Sequence, residues 1–127
     1  MHRVEPDKLA ATCAHLLDEK QAGDIVLMNV RGLTSIGDYF IVATGRNPRH
    51  LRALAREVED TIERLGKEPL GVEGTPESGW ILVDLGDVVV HLFDSERRNL
   101  YRLDLLWGDA ELEDWAEMET IDAGLEG

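Results

Sequence analysis

The strongest structural signal in this sequence is a long amphipathic stretch at residues 48–65. Asn47 is a favourable N-cap, Pro48 suits the first helical position, and Gly66 ends the pattern. The apolar residues that repeat along one helical face are Leu51, Leu54, Ala55, Val58, Ile62 and Leu65. A helix with one apolar face must bury it, so the rest of the chain has to supply a sheet or further helices.

The flanking segments alternate between helix and strand patterns. Apolar residues at helical spacing predict a first helix at residues 6–22, ended by Gly23, and a last helix at residues 97–107, ended by Gly108. Short runs rich in branched residues predict strands at residues 24–30, 39–44, 70–73, 80–84 and 87–93. The fold class is therefore α/β (α+β), a single mixed β-sheet of about five strands with helices packed against it, in the order α-β-β-α-β-β-β-α.

The last two predicted strands form a hairpin through Leu85-Gly86. Leucine disfavours the positive φ of a two-residue primed turn, so we expect a wider turn with Gly86 in the left-handed region.

Acidic residues outnumber basic residues by 26 to 13, which gives a net charge of −13. This charge opposes any partner bound mainly through its phosphates, so we expect no free nucleic acid as partner. Eight of the acids lie in residues 109–127, which contain no Lys or Arg. We expect one domain at residues 1–110 and an acidic, flexible tail at residues 111–127. Deleting this tail should leave the fold intact unless Trp115 and Met118 anchor part of it.

Cys13, the single cysteine, lies on the apolar face of the first predicted helix, which indicates a core residue and not a nucleophile. No stretch approaches the roughly 18 apolar residues that a membrane span needs, and the N-terminus lacks the apolar region of a signal peptide. We expect a soluble cytoplasmic protein with no membrane partner.

The final predicted strand has two different faces. Val88, Val90 and Leu92 form the natural core face, whereas the opposite face alternates apolar residues with a carboxylate and an imidazole. The residues of this opposite face are Asp87, Val89, His91 and Phe93, with Trp80, Leu82 and Asp84 from the preceding strand. Such a face is either covered by the last helix or left as a binding surface, and the pattern leaves both open.

Three alternatives involve chemistry. Asp84 and Asp87 invite a metal site, but residues three apart in a strand point to opposite faces, and a turn-capping role is favoured. His91 lacks a serine or second histidine at a useful spacing, so a hydrogen-bonded, half-buried histidine is favoured over a general base. Gly45 precedes a helix and could lead a phosphate onto it, although the Asn47 cap alone explains that pattern. No catalytic residue, metal or cofactor is expected.

Several segments together resemble the ribosomal silencing factor family, also called Iojap-like proteins. The matching segments are residues 31–40 (RGLTSIGDYF), Ala43-Thr44-Gly45 with Arg49-His50, residues 70–74 (LGVEG), Trp80, residues 84–91 (DLGDVVVH), Arg98, Leu100-Tyr101 and Leu106-Trp107. They follow the family's order between residues 7 and 110. Asn47-Pro48 departs from the small hydroxyl residue usual there, and the acidic extension after Ala110 is expected to lie outside the pattern.

The resemblance implies a protein that binds the large ribosomal subunit through its ribosomal protein number fourteen (uL14). It would thereby block joining of the small subunit and repress translation under nutrient limitation, without acting as an enzyme. The implied partner-binding residues are Trp80, Asp84, Asp87, His91, Arg98, Tyr101 and Trp107. A negative domain also suits a basic ribosomal protein.

Two other functions remain open. The family's fold resembles nucleotidyltransferases, so a small enzyme that uses the same sheet face is the alternative. A homodimer that shares this face is compatible with the first function.

Overall fold

The computed structural model describes residues 5–101, 108 and 110–121. Three helices are present in these residues, α1 (Pro6–Glu19), α2 (Pro48–Arg64) and α3 (Ser95–Tyr101). The strands are β1 (Gly23–Asn29), β2 (Tyr39–Gly45), β3 (Gly71–Thr75), β4 (Trp80–Asp84), β5 (Val88–Asp94) and β6 (Glu111–Glu113). Short 3₁₀ turns cover Pro76–Ser78 and Trp115–Glu117. Of the described helices, none has the length and apolar character needed to cross a bilayer.

The six strands form one mixed sheet in the order β3-β4-β5-β2-β1-β6. The central pair, β2 and β5, is parallel, and the other neighbouring pairs are antiparallel. A parallel pair requires a crossover, and the segment that contains α2, β3 and β4 provides it. The predicted fold class and element order are confirmed, with six strands where about five were expected.

Helix α2 begins as the sequence predicts. The Asn47 side chain accepts a hydrogen bond from the His50 backbone N–H, and Pro48 occupies the first turn. The His50 ring then links two other segments, because its Nδ1 accepts from the Arg46 N–H at 3.0 Å and its Nε2 lies 2.8 Å from the Lys20 carbonyl oxygen. These bonds imply the tautomer with the proton on Nε2. The Arg46 backbone N–H, just before α2, is therefore hydrogen-bonded to the protein's own His50 ring.

Helix α1 ends earlier than predicted, at Glu19, and Gly23 is already in β1. The reversal is made by Gln21 and Asp24, which adopt φ values of 66° and 46°. Positive φ is uncommon for residues other than glycine, so Gly23 was a plausible but wrong choice for the end of the helix.

The two faces of the sheet are built differently. The helix face carries the larger core, in which α1 and α2 pack on strand residues such as Ile41, Val83, Val90 and Leu92. The opposite face, called here the aromatic face, carries a smaller cluster. Its members are Met28, Phe40, Val42, Val89, His91 and Phe93, with the half-buried Trp80 and Leu82 beside them.

Residues 111–121 of the predicted tail are docked on the domain. β6 pairs with β1, and its Leu112 lies opposite Met28. Trp115 then contacts α1, since its carbonyl oxygen lies 3.0 Å from His15 Nε2 and its own Nε1 donates to the Ile25 carbonyl at 3.3 Å. Trp115, Met118 and Ile121 pack against the core of the helix face. Strand pairing and these apolar anchors give residues 111–121 defined contacts with the domain despite their acidic composition.

Candidate partner-binding surface

Strand register brings three of the predicted partner-binding residues onto the aromatic face. Trp80 lies opposite Phe93, Leu82 lies opposite His91, and Asp84 lies opposite Val89. Trp80, Leu82 and Asp84 alternate along β4, so they share one face. The predicted side-chain pattern of this hairpin is therefore correct, because Val88, Val90 and Leu92 lie in the core of the helix face.

His91 lies at the centre of an aromatic cluster. Its ring meets Phe40 edge to face at 5.3 Å between centroids and stacks with Phe93 at 6.2 Å. Trp80 lies against Phe93 at 5.2 Å and is 6.1 Å from the His91 ring. Such offset and edge-to-face arrangements are the favourable geometries of aromatic pairs. The four rings form a continuous cluster across β2, β5 and β4, in which Phe40, His91 and Phe93 are buried and Trp80 is half-buried.

The surroundings of His91 differ from those predicted. The side chain is buried, at 7% exposure, and neither ring nitrogen has a hydrogen-bond partner within the described residues. Desolvation lowers its pKa to about 4, so the ring is neutral at pH 7. The expected half-buried, hydrogen-bonded histidine is wrong, because aromatic and apolar neighbours surround the ring.

Asp84 has the turn-capping role that the sequence favoured. Its Oδ1 accepts a hydrogen bond from the Gly86 N–H at 2.8 Å, and Gly86 adopts a φ of 94°. The Leu85 N–H donates to the Val88 carbonyl at 2.9 Å, which leaves only Gly86 and Asp87 in the turn. The expected wider turn is therefore wrong, whereas Gly86 lies in the left-handed region as predicted. The carboxylate of Asp84 is therefore engaged in holding the turn.

The backbone carbonyl of Asp87 connects the hairpin turn to the loop before β2. Its carbonyl oxygen accepts from the N–H groups of Asp38 and Tyr39 at 2.7 and 3.0 Å, which fixes the loop before β2. A Cβ on Gly37 would lie 3.2 Å from this oxygen, so the close approach favours glycine there. The Asp87 residue itself is exposed. Its charge faces solvent, where it is accessible to a partner.

The remaining predicted contact residues lie on or beyond α3. Arg98 is partly buried, and its Nη1 donates to Thr44 Oγ1 at 3.1 Å, which ties α3 to β2. Tyr101 is the last residue of α3 as described. Residues 102–107 of the predicted last helix, which include Trp107, lie outside the described residues.

The chemical alternatives receive no geometric support. Within residues 5–101 and the described part of the C-terminal segment, no three His, Cys, Asp or Glu side chains converge as metal ligands. Cys13 is buried in the helix-face core, and desolvation raises the pKa of its thiol to about 12, so the prediction of a core residue is confirmed. Gly45 packs against Leu51, whose Cδ2 would lie 2.7 Å from an added Cβ.

From the sequence, Glu73 was part of the family-like segment at residues 70–74 but was given no role, and the cavity beside it was not predicted. Residues Glu73, Gly74, Ser78, Trp80 and Leu82 line a cavity of about 320 Å³ on the aromatic face. Glu73 lies directly opposite Leu82 on β4. The register between β3 and β4 depends on the loop that joins them, so the local sequence pattern does not predict it.

Two large apolar side chains near the Gly86 turn are also unusually exposed. They are Leu70 at 74% and Ile36 at 63%.

Comparisons with known proteins agree with this architecture. A family model described as ribosomal silencing factor during starvation matches residues 3–125. The ribosomal silencing factor RsfS of Bacillus subtilis is 42% identical over 105 residues, which are 83% of this chain and 86% of that protein. A crystal structure of a Chromobacterium violaceum protein matches with a TM-score of 0.79 at 30% identity, over 98% of this chain and 95% of the other. A Bacillus halodurans structure matches with a TM-score of 0.67 at 33% identity, over 76% and 90%.

The family match also corrects one expectation from the sequence. It extends to residue 125 and so includes most of the acidic segment that was expected to lie outside the family pattern. Docking of β6 and Trp115 gives that segment a structural place in the domain. With a family model that spans nearly the whole chain and a relative 42% identical over most of its length, this chain belongs to the family of ribosomal silencing factors, RsfS.

Proposed function

We propose that this chain binds the large ribosomal subunit through its ribosomal protein number fourteen and blocks joining of the small subunit. The effect is to repress translation when nutrients are limited. The single observation that carries the proposal is the family match over residues 3–125. Ribosome binding is an equilibrium that requires no chemistry, so the proposed function needs no catalytic residue, metal or cofactor.

The accessible edge of the aromatic face, at Trp80, Leu82 and the Gly86 turn, is the proposed contact surface, because the centre of that face is buried. It combines a half-buried Trp80 with the exposed carboxylate of Asp87 at the far end of the same hairpin. Aromatic anchors surrounded by charged residues are typical of protein interfaces, in which the aromatics dominate affinity and the charges affect the rate of association. Arg98, which lies on α3, belongs to the proposed contact residues, together with Tyr101 and Trp107 as the family resemblance implies.

The net charge supports a basic protein, and not bare RNA, as the direct partner. A domain of charge −13 attracts a basic ribosomal protein and is repelled by exposed phosphates. This combination directs the domain to a protein patch within a surface otherwise dominated by RNA. The proposed function also implies a cytoplasmic location, where the subunits join.

Co-sedimentation tests the proposal. Purified protein is mixed with isolated large subunits, isolated small subunits, or both, and the pellets and the yield of joined ribosomes are measured. We expect binding to large subunits only and a lower yield of joined ribosomes. Equal binding to both subunits, or no binding to large subunits, would contradict the proposed function.

Two variants then separate the centre of the surface from its rim. We expect Trp80→Ala to weaken large-subunit binding by about 2 kcal/mol or more and to speed release, because a central aromatic acts on dissociation. Asp87→Asn should cost only a few tenths of a kcal/mol and slow capture mainly at low salt. Both variants require a matching circular dichroism spectrum. The opposite pattern would mean that centre and rim are reversed.

A homodimer that shares the aromatic face would compete with subunit binding. Analytical ultracentrifugation of the free protein at several concentrations measures this directly. We propose a dimer only as a state of the free protein, because the same surface cannot contact both partners at once.

A further inference from the structure

The cavity beside Trp80 combines an apolar wall with an acidic residue at its edge. Leu82 and Trp80 are half-buried and adjoin the aromatic cluster of His91 and Phe93. Glu73 is exposed and lies opposite Leu82 across the β3–β4 pair. We infer that this cavity, called here the Glu73 cavity, receives a lysine or arginine side chain of the partner protein. The inference rests on the proposed function and specifies the chemistry of its contact.

The backbone around the cavity is held in place by local bonds. Gly74 has a φ of 85°, and a Cβ there would collide with the carbonyl oxygen of Trp80. The hydroxyl of Ser78 donates to the Thr75 carbonyl at 2.7 Å and lies 3.1 Å from the Trp80 carbonyl oxygen. Thr75 Oγ1 in turn accepts from the Ser78 N–H. The cavity wall is therefore preorganised, which lowers the entropic cost of binding.

The charges favour a cation over other occupants. Within the described residues, Glu73 takes part in no ion pair, whereas the neighbouring Glu77 lies 3.9 Å from Arg52. A long aliphatic stem can cover Leu82 and Trp80 while its cationic head reaches the Glu73 carboxylate. Phosphate groups and the acidic surface of a second copy would both be repelled by Glu73.

The size of the cavity also favours a side chain. At about 320 Å³ it lies near the lower end of the range, roughly 300–1,000 Å³, in which proteins hold small ligands. A single long side chain from a docked protein fits this size better than a nucleotide or a folded segment. A docked partner would also exclude water, which strengthens the ion pair relative to one on an open surface.

The first test needs no ribosome. We would titrate the isotopically labelled protein with N-acetyl-arginine amide and N-acetyl-lysine amide and follow the backbone amides by NMR. We expect saturable shifts at Gly74, Ser78 and Leu82 with an affinity in the millimolar range, on the order of that expected for one small contact. These shifts should be absent with N-acetyl-glutamine amide and lost in Glu73→Gln. Absent shifts, or equal shifts in Glu73→Gln, overturn the inference.

The second test uses isolated large subunits and a matched control. Glu73→Gln and Glu77→Gln remove the same charge from neighbouring exposed positions, so long-range attraction falls equally in both. We expect Glu73→Gln to bind large subunits about tenfold more weakly than the parent, and Glu77→Gln to stay within about twofold, because one carboxylate pairs with the partner and the other does not. Circular dichroism and melting temperature establish that both variants are folded.

The results distinguish this inference from the proposed function. A parent protein that fails to sediment with large subunits overturns the proposed function, whereas the cavity is still judged by the amide shifts. If the parent binds large subunits and the Glu73→Gln and Glu77→Gln variants bind them with equal affinity, the Glu73 cavity is not the cation-binding contact.

Discussion

The helix face and the aromatic face belong to one sheet, yet they differ in the burial and polarity of their side chains. On the helix face, Leu92 and its neighbours are fully buried under α1 and α2. On the aromatic face, His91 is buried without a hydrogen-bond partner among the described residues, and Leu82 lies half-exposed beside an acidic cavity. A buried polar group that is not hydrogen-bonded costs stability. The helix face is therefore a core of buried apolar side chains, whereas the aromatic face includes a buried polar group whose burial costs stability.

The largest expected loss of stability from a single substitution is on the helix face, and a leucine on the aromatic face provides the comparison. Leu92→Ala should lower the free energy of unfolding by about 3 kcal/mol, because it leaves a cavity in a closely packed core. Leu82→Ala should cost roughly 1 kcal/mol, because its side chain is only partly removed from water. Urea denaturation of both variants measures the difference. Equal losses would show that the aromatic face is as much a folding core as the helix face.

The two buried histidines give the next comparison, through pH. The pKa of His91 is about 4 in the folded protein and 6.5 in the unfolded chain. Above pH 6.5 both states are neutral. As pH falls from 6.5 towards 4, only the unfolded state takes up the proton, so folding stability falls and then levels off. The full loss is on the order of 3 kcal/mol, at about 1.4 kcal/mol for each pKa unit.

Replacing each histidine by phenylalanine separates this effect from the titration of the acids. His91→Phe should lose less stability than the parent between pH 6.5 and 4, and should not be destabilised at pH 7. His50→Phe should be destabilised at pH 7 by about 1–3 kcal/mol, because it removes the ring's contacts with the Arg46 N–H and the Lys20 carbonyl. Chemical denaturation at a series of pH values provides the data. Parallel pH profiles for the parent and His91→Phe would contradict the assigned environment of His91.

The smallest expected effect concerns the docked C-terminal segment, which extends the cover of the helix face. Trp115→Ala should cost about 2 kcal/mol, because it removes a half-buried ring, its bond to the Ile25 carbonyl and its edge contact with His15 at 5.3 Å. The exposed neighbour Glu117 is the control, and Glu117→Ala should stay within about 0.5 kcal/mol. Thermal denaturation measures both. A neutral Trp115→Ala would instead favour the loosely attached tail predicted from composition.

The local sequence pattern was sufficient to predict most of the helices and strands. The Asn47 cap and Pro48 set the start of α2, and the alternation along residues 87–93 assigned the two faces of β5 correctly. Gly86 was correctly placed at positive φ in the turn. Each of these features depends on residues within a few positions of one another, so the sequence alone determines them.

Tertiary structure decided the features that depend on distant residues. β6 forms because three acidic-segment residues meet the free edge of β1, and Glu73 reaches the aromatic face because β3 pairs with β4 in one particular register. The isolation of the His91 ring depends on neighbours from β2 and β4. Periodicity indicates which side of an element is apolar, but not which distant group will lie opposite it. Strand order and register, which long-range packing determines, assembled the candidate surface.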